Sequence, residues 1–136
     1  MAKFIEEFLT AIKSHFDDNT EGATLYTVQA PLSAVMPYVV LTILPAKPED
    51  TLTESIEAGI IQFSIYSSSA TAEEALDLQS DLQDAFDYSE DNVFDTTNYL
   101  LVSMERENGN LTMEEDEGKR VWSVMTQYFY RMQLRN

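Results

Sequence analysis

The chain has 136 residues, a formal charge of -16 and no cysteine. That length makes one domain able to bury roughly two thirds of its unfolded surface, and the missing thiols exclude disulfides, zinc-thiolate centres and cysteine nucleophiles. Eight basic residues against 24 acidic ones exclude tight binding to nucleic-acid phosphate, which needs clustered Lys and Arg.

No apolar run reaches the ~18 residues of a membrane span, and Met1-Ala-Lys-Phe-Ile-Glu-Glu7 carries acids where a signal peptide is apolar. The expected product is soluble, makes no membrane contact and folds in a cytoplasm. In chain order, an amphipathic helix comes first. Phe4, Ile5, Phe8, Leu9, Ile12 and Phe16 fall within about 140° of arc at ~100° per residue, with Lys3, Glu6, Glu7, Thr10 and Lys13 outside it. Asp17-Asp-Asn-Thr-Glu-Gly22 stops that helix, and Leu25-Tyr-Thr-Val-Gln-Ala30 begins a sheet. A connector leads to Pro37, tolerated at the start of a strand, and Tyr38-Val-Val-Leu-Thr-Ile-Leu44, apolar on both faces, belongs inside the sheet. Residues 45–54 break the pattern and read as a loop or projecting arm.

The centre of the chain is a strand followed by a helix. Ile61, Phe63 and Ile65 alternate with Gln62, Ser64 and Tyr66, and at Thr71 the period changes from two to about 3.6. Thr71 and Glu74 have the spacing of a capping box. Ala72, Ala75, Leu76, Leu78, Leu82, Ala85 and Phe86 share one side of the helix, and Glu73, Asp77, Asp81, Asp84 and Asp87 the other. An acidic connection, 88–97, precedes a fourth strand, 98–106. Residues 107–118, with the turn pair Asn108-Gly109, read as a polar loop before a last strand from Lys119 to about Met132. At ~3.3 Å per residue this strand spans roughly 40 Å, so it must bend at a bulge or protrude.

Trp122, Val124, Thr126, Tyr128, Tyr130 and Met132 line one side of it, and Val121, Ser123, Met125, Gln127, Phe129 and Arg131 the other. Two apolar faces mean either helices on both sides of the sheet or a neighbouring subunit on part of it. Trp122, Tyr128, Phe129, Tyr130 and Met132 are the candidate oligomer or partner contacts. The elements, in the order α-β-β-β-α-β-β, describe a single α+β domain over 1–136: an antiparallel or mixed five-stranded sheet packed with two main helices.

Chemistry is sparse. His15 is the only histidine and lies at the edge of the apolar arc, so a two-histidine metal site cannot form and a structural role fits best. Four scattered glycines make no phosphate-cradling loop. Asp17-x-Asn19-x-Glu21-Gly22 imitates the start of a calcium loop, but Val28 stands at the twelfth position, and the segment reads as a helix stop. Asn110-Leu-Thr112 matches a glycosylation sequon by chance. Neither catalytic residues nor a cofactor or metal site is expected.

Several stretches together resemble the tail-completion family of long-tailed phages and prophages, the tail terminators or tail-to-head joining proteins. They are the N-terminal helix, Leu25-Tyr-Thr-Val-Gln-Ala-Pro31, Met36-Pro-Tyr-Val-Val40, Ile61-Gln-Phe-Ser-Ile-Tyr66 with the helix that follows, and Arg120-Val-Trp-Ser-Val-Met-Thr-Gln-Tyr-Phe129. The resemblance implies a structural, non-enzymatic virion protein, assembled in the host cytoplasm. Its subunits would form a ring, of six copies, that caps the tail tube. It would contact the tail-tube protein and a head-completion or connector protein, with DNA passing through unbound. Asp77, Asp81 and Asp84 are the candidate acidic lumen face, where carboxylates would repel phosphate. The alternatives are a head-closure or neck adaptor and, from another class, a small acidic enzyme or binding module built on carboxylates.

Overall fold

A computed structural model of the chain describes residues 3–45, 49–50, 55–69, 71–89, 94–116 and 119–134. The elements are α1 (Lys3–Asn19), β1 (Thr24–Thr27), β2 (Tyr38–Pro45), β3 (Glu49–Asp50), β4 (Ser55–Ser67), α2 (Glu73–Phe86), β5 (Tyr99–Asp116) and β6 (Lys119–Leu134). The five expected strands are present, and β3 adds a two-residue sixth beside the start of β4. The sheet order is β1-β2-β4-β6-β5. It is mixed: β1 runs parallel to β2, and every other pairing is antiparallel.

Both helices pack on one face of this sheet, and the core lies between them and the central strands. Phe4, Phe8, Ile12 and Phe16 recur every four residues along α1 and are all buried. Phe8 sits with ring centroids 4.5 Å from Tyr130 and 5.3 Å from Phe4. From α2, Phe86 meets Phe63 of β4 at 4.8 Å. Aromatic pairs at these distances add about 0.5–1.5 kcal/mol each to the burial of their area. The two layers are also tied by polar groups. The Glu7 carboxylate accepts from Asn98 N–H at 2.9 Å and from its Nδ2 at 2.7 Å, fixing the entry to β5 against α1. His15 donates from Nε2 to the Ala85 carbonyl at 2.6 Å and stacks beside Phe94 at 5.1 Å, which is the structural role its place on the helix suggested.

Three expectations need correction. The capping box does not form: α2 begins at Glu73 after Ala72, without a side-chain cap at that residue. Thr71 Oγ1 accepts only from Glu73 N–H at 3.4 Å, while the Glu74 carboxylate accepts from the Ser67 hydroxyl at 2.5 Å and ties the helix back to β4. Leu76 is not on the buried side; it is 42% exposed on a flank of α2. The segment 107–118 is not a loop, because β5 continues through it to Asp116, opposite Lys119. Residues 117 and 118 lie outside the described residues, as do 46–48 and 51–54 of the expected arm and 90–93 of the acidic connection.

The physical reason for the third correction is the template that β6 offers. Its partners hold a polar strand in register through backbone ladder bonds, helped by Arg120 on Glu115 at 3.1 Å. Asn108-Gly109 is then part of an irregularity between Arg106 and Gly109 and not a turn; a second lies between Leu101 and Ser103. A Cβ at Gly109 would stand 3.2 Å from the Met125 carbonyl oxygen. Gly109→Ala is therefore expected to lower stability by ~1 kcal/mol through overpacking, read from urea unfolding.

Candidate assembly surface

Strand alternation sorts each side chain of the sheet to one of two faces. Beneath the helices lie Val39 and Leu41 of β2, Ile61, Phe63 and Ile65 of β4, and Val124, Thr126, Tyr128, Tyr130 and Met132 of β6, all buried. Their neighbours face the other way: Tyr38, Val40, Thr42 and Leu44; Ile56, Ala58, Ile60, Gln62, Ser64 and Tyr66; Val121, Ser123, Met125, Gln127, Phe129, Arg131 and Gln133. Among the described residues, no helix lies over this second face.

The uncovered face is built as a surface with specific contents. Three tyrosines cross it at one end, Tyr26 to Tyr38 with ring centroids at 5.9 Å and Tyr38 to Tyr66 at 5.3 Å. In the middle, Gln127 Nε2 donates to Gln62 Oε1 at 2.9 Å, and Gln62 Nε2 donates to Ser64 Oγ at 3.1 Å. At the other end the Arg131 guanidinium lies 4.9 Å from the centroid of the Phe129 ring, a cation–π contact. Across β2, β4 and β6 this face carries no acid in a chain with 24 of them. Tyr, Phe, Met and Arg with few acids is the composition of an interface core.

This geometry divides the expected contact residues. Tyr128, Tyr130 and Met132 are corrected out of the surface, since they lie in the core under the helices. Alternation had put them on the same side as Trp122, but α1 and α2 take that side for themselves. Trp122 is half-buried, and its Nε1–H donates to the Ser69 carbonyl at 3.1 Å. Phe129 alone of the five belongs to the uncovered face. Met125, Ile60, Tyr38 and Tyr66 join it; the alternation already grouped Met125 with Phe129, whereas the other three needed the strand register.

The core tyrosines keep their protons. Burial pushes Tyr130 up to about 12, with Glu57 adding to the effect. Burial also raises Tyr128, reinforced by its 2.7 Å hydrogen bond to Asp87 Oδ1 and by the Asp87 charge. Arg106, 3.6 Å from the other Asp87 oxygen, works weakly against that shift. The network pins the C-terminal end of α2 to β6 and to β5.

Asp77, Asp81 and Asp84 all stand exposed along the outer side of α2. Glu73, Glu74, Asp77 and Asp81 line an open cleft of about 420 Å³ with Gly22 and Pro37. Among the described residues, no group of three or more His, Cys, Asp or Glu could hold a metal ion. No described helix is long and apolar enough to cross a membrane.

No protein-family model matches the sequence, and a search of curated proteins finds no match. Solved structures do match. A chain from the virion of a native gene transfer agent particle is similar at TM-score 0.57 and 15% identity, covering 79% of this chain and 78% of that one. A second solved protein, whose name states no function, is similar at TM-score 0.58 and 9% identity, covering 93% of this chain and 92% of the other. At these identities the likeness is one of fold.

Proposed function

We propose that this chain is a structural protein of a phage or prophage-like virion, a tail terminator whose copies form a ring that caps the tail tube and joins it to the head. The observation that carries the reading is the uncovered sheet face, which presents Tyr38, Tyr66, Ile60, Met125 and Phe129 and is free of acids on its three central strands. A chain this acidic that keeps the central strands of one broad face free of acids has a partner to cover it. The fold shared with a chain of a gene transfer agent virion supports an assembly role over catalysis. The sequence resemblance supplies the finer assignment to the tail end, the sixfold ring and the contacts with tail-tube and connector proteins.

In this reading the exposed Asp77, Asp81 and Asp84 face the bore. Carboxylates there repel the phosphates of passing DNA, so the duplex slides without binding. The test is to grow tail tubes from their subunits with and without this protein. Capped tubes should stop at a fixed length and carry a sixfold ring at one end by cryo-electron microscopy. Tubes that ignore the protein, while a portal or connector captures it, would move it to the neck as a head-closure adaptor.

Assembly of subunits at -16 should also depend on salt. Raising ionic strength from about 0.01 M to about 0.15 M shortens the screening length from roughly 30 Å to 8 Å. Ring formation should strengthen over that range, as measured by light scattering.

A further inference from the structure

Loop 28–37, which joins β1 to β2, holds the most exposed apolar side chains of the described structure: Leu32 fully exposed, Val35 at 80% and Val28 at 72%. From Gly22 to Ala46 the chain carries no charged residue. The loop is also held in shape. Gln29 N–H donates to the Thr27 carbonyl at 2.8 Å, closing a three-residue turn around Val28 at φ 69°, a conformation that a β-branched residue adopts only under strain. Val28 N–H donates to the Leu41 carbonyl at 2.8 Å and Ala34 N–H to the Pro31 carbonyl at 2.9 Å, so the strained turn is fastened to β2. Strain kept at an exposed apolar projection is a mark of a contact made elsewhere.

A second apolar patch lies at the opposite margin of the sheet. Leu111 and Met113 of β5 are 45% and 43% exposed, on the side that the helices cover farther along. Gln79 of α2 donates from Nε2 to Thr126 Oγ1 at 3.1 Å, and Thr126 pairs with Gly109. Leu76 is one helical turn before Gln79, and Leu111 is two residues beyond Gly109 in the same direction, so the exposed Leu76 stands at the level of Leu111.

We infer that these two patches are the halves of one interface between copies of this chain: loop 28–37 of one copy seats on the Leu76, Leu111 and Met113 patch of the next. This rests on the reading of the chain as a ring subunit and supplies its contact. Two unlike surfaces on opposite margins make a head-to-tail contact, the kind that closes into rings; a like-on-like contact would stop at a dimer. A copy is the occupant because the one chain carries both the projection and the apolar seat. Charge agrees with this, since a subunit at -16 can approach another most easily with an uncharged segment leading. The edge-to-edge direction of the sheet then follows the ring's circumference, leaving the α2 acids on one side of its wall and the uncovered sheet face on the other.

The test uses two double variants, Leu32→Glu with Val35→Glu in the loop and Leu111→Glu with Met113→Glu at the seat, studied by light scattering where the wild type assembles, in solution or on tail tubes. Each variant alone should stay monomeric, with association weakened at least tenfold. Mixed one to one they should form dimers and nothing larger, because one intact interface remains. Assembly of either variant alone, or a mixture that stays monomeric, overturns the contact and leaves the ring reading standing. A wild type that never assembles, even on tail tubes, overturns the ring reading and this contact with it. Circular dichroism checks folding, and Leu76→Glu on the helix replaces the seat variant if that one unfolds.

Discussion

Phe8→Ala is expected to destabilise the domain by ~3–5 kcal/mol and to lower the melting temperature by roughly 10–20 °C. Phe8 is fully buried and is the meeting point of the α1 stripe with the sheet, in ring contact with Phe4, Phe94 and Tyr130. Its removal leaves a cavity that three aromatic rings cannot close without tilting from the arrangement the other helix needs. Against a typical total stability of about 5–15 kcal/mol, that loss brings the chain close to unfolding. On the uncovered face Phe129→Ser should behave in the opposite way. It should change the melting temperature little and, in the proposed tail-terminator role, cut binding to tail tubes, measured by titration. Equal losses of stability at the two positions would mean that both faces of the sheet are core.

The contrast also marks where sequence reading reaches its limit. The α1 stripe, the β4 alternation and the α2 stripe were legible because burial repeats at the period of the element itself. Three departures came from tertiary structure. Leu76 fits the apolar arc of α2 by angle, yet it is exposed, because α2 rests on β4 and β6 and Leu76 lies on its flank rather than beneath it. Residues 107–116 have no strand pattern, and they pair because β6 lies beside them. Tyr128 and Phe129 are adjacent, both aromatic, and equally plausible as contacts until the helices are seen to choose one face. Val28, Gln29 and Ala30 continue the pattern of a strand, yet β1 ends at Thr27 and they belong to the loop, whose lack of charge in so acidic a chain is a signal in plain view.

Alkaline pH should unfold this domain more steeply than its acidic composition suggests. Tyr99, Tyr128 and Tyr130 are all raised from the ordinary tyrosine value of 10.0, Tyr130 to about 12. Burial is the first cause in each case; Glu57 and Glu7 add to it at Tyr99. Below pH 10 the folded and unfolded chains both keep these protons, and their stabilising contribution is fully present. Above pH 10 the unfolded chain releases them while the folded chain holds them, so the unfolded state binds fewer protons and stability falls as pH rises. Each such tyrosine removes about 1.4 kcal/mol per pH unit until its folded value is passed. For Tyr128 and Tyr130 together the loss between pH 10 and 12 is on the order of 5 kcal/mol, comparable with the whole stability of an ordinary domain. Urea unfolding at pH 8, 10, 11 and 11.5 measures the slope. Tyr130→Phe keeps the ring and removes one titrating group, so it should flatten the slope above pH 10 by about 1.4 kcal/mol per unit. A slope unchanged in that variant would mean that Tyr130 gives up its proton equally in the folded and unfolded chains, and that its hydroxyl is not in the dry core between α1 and β6.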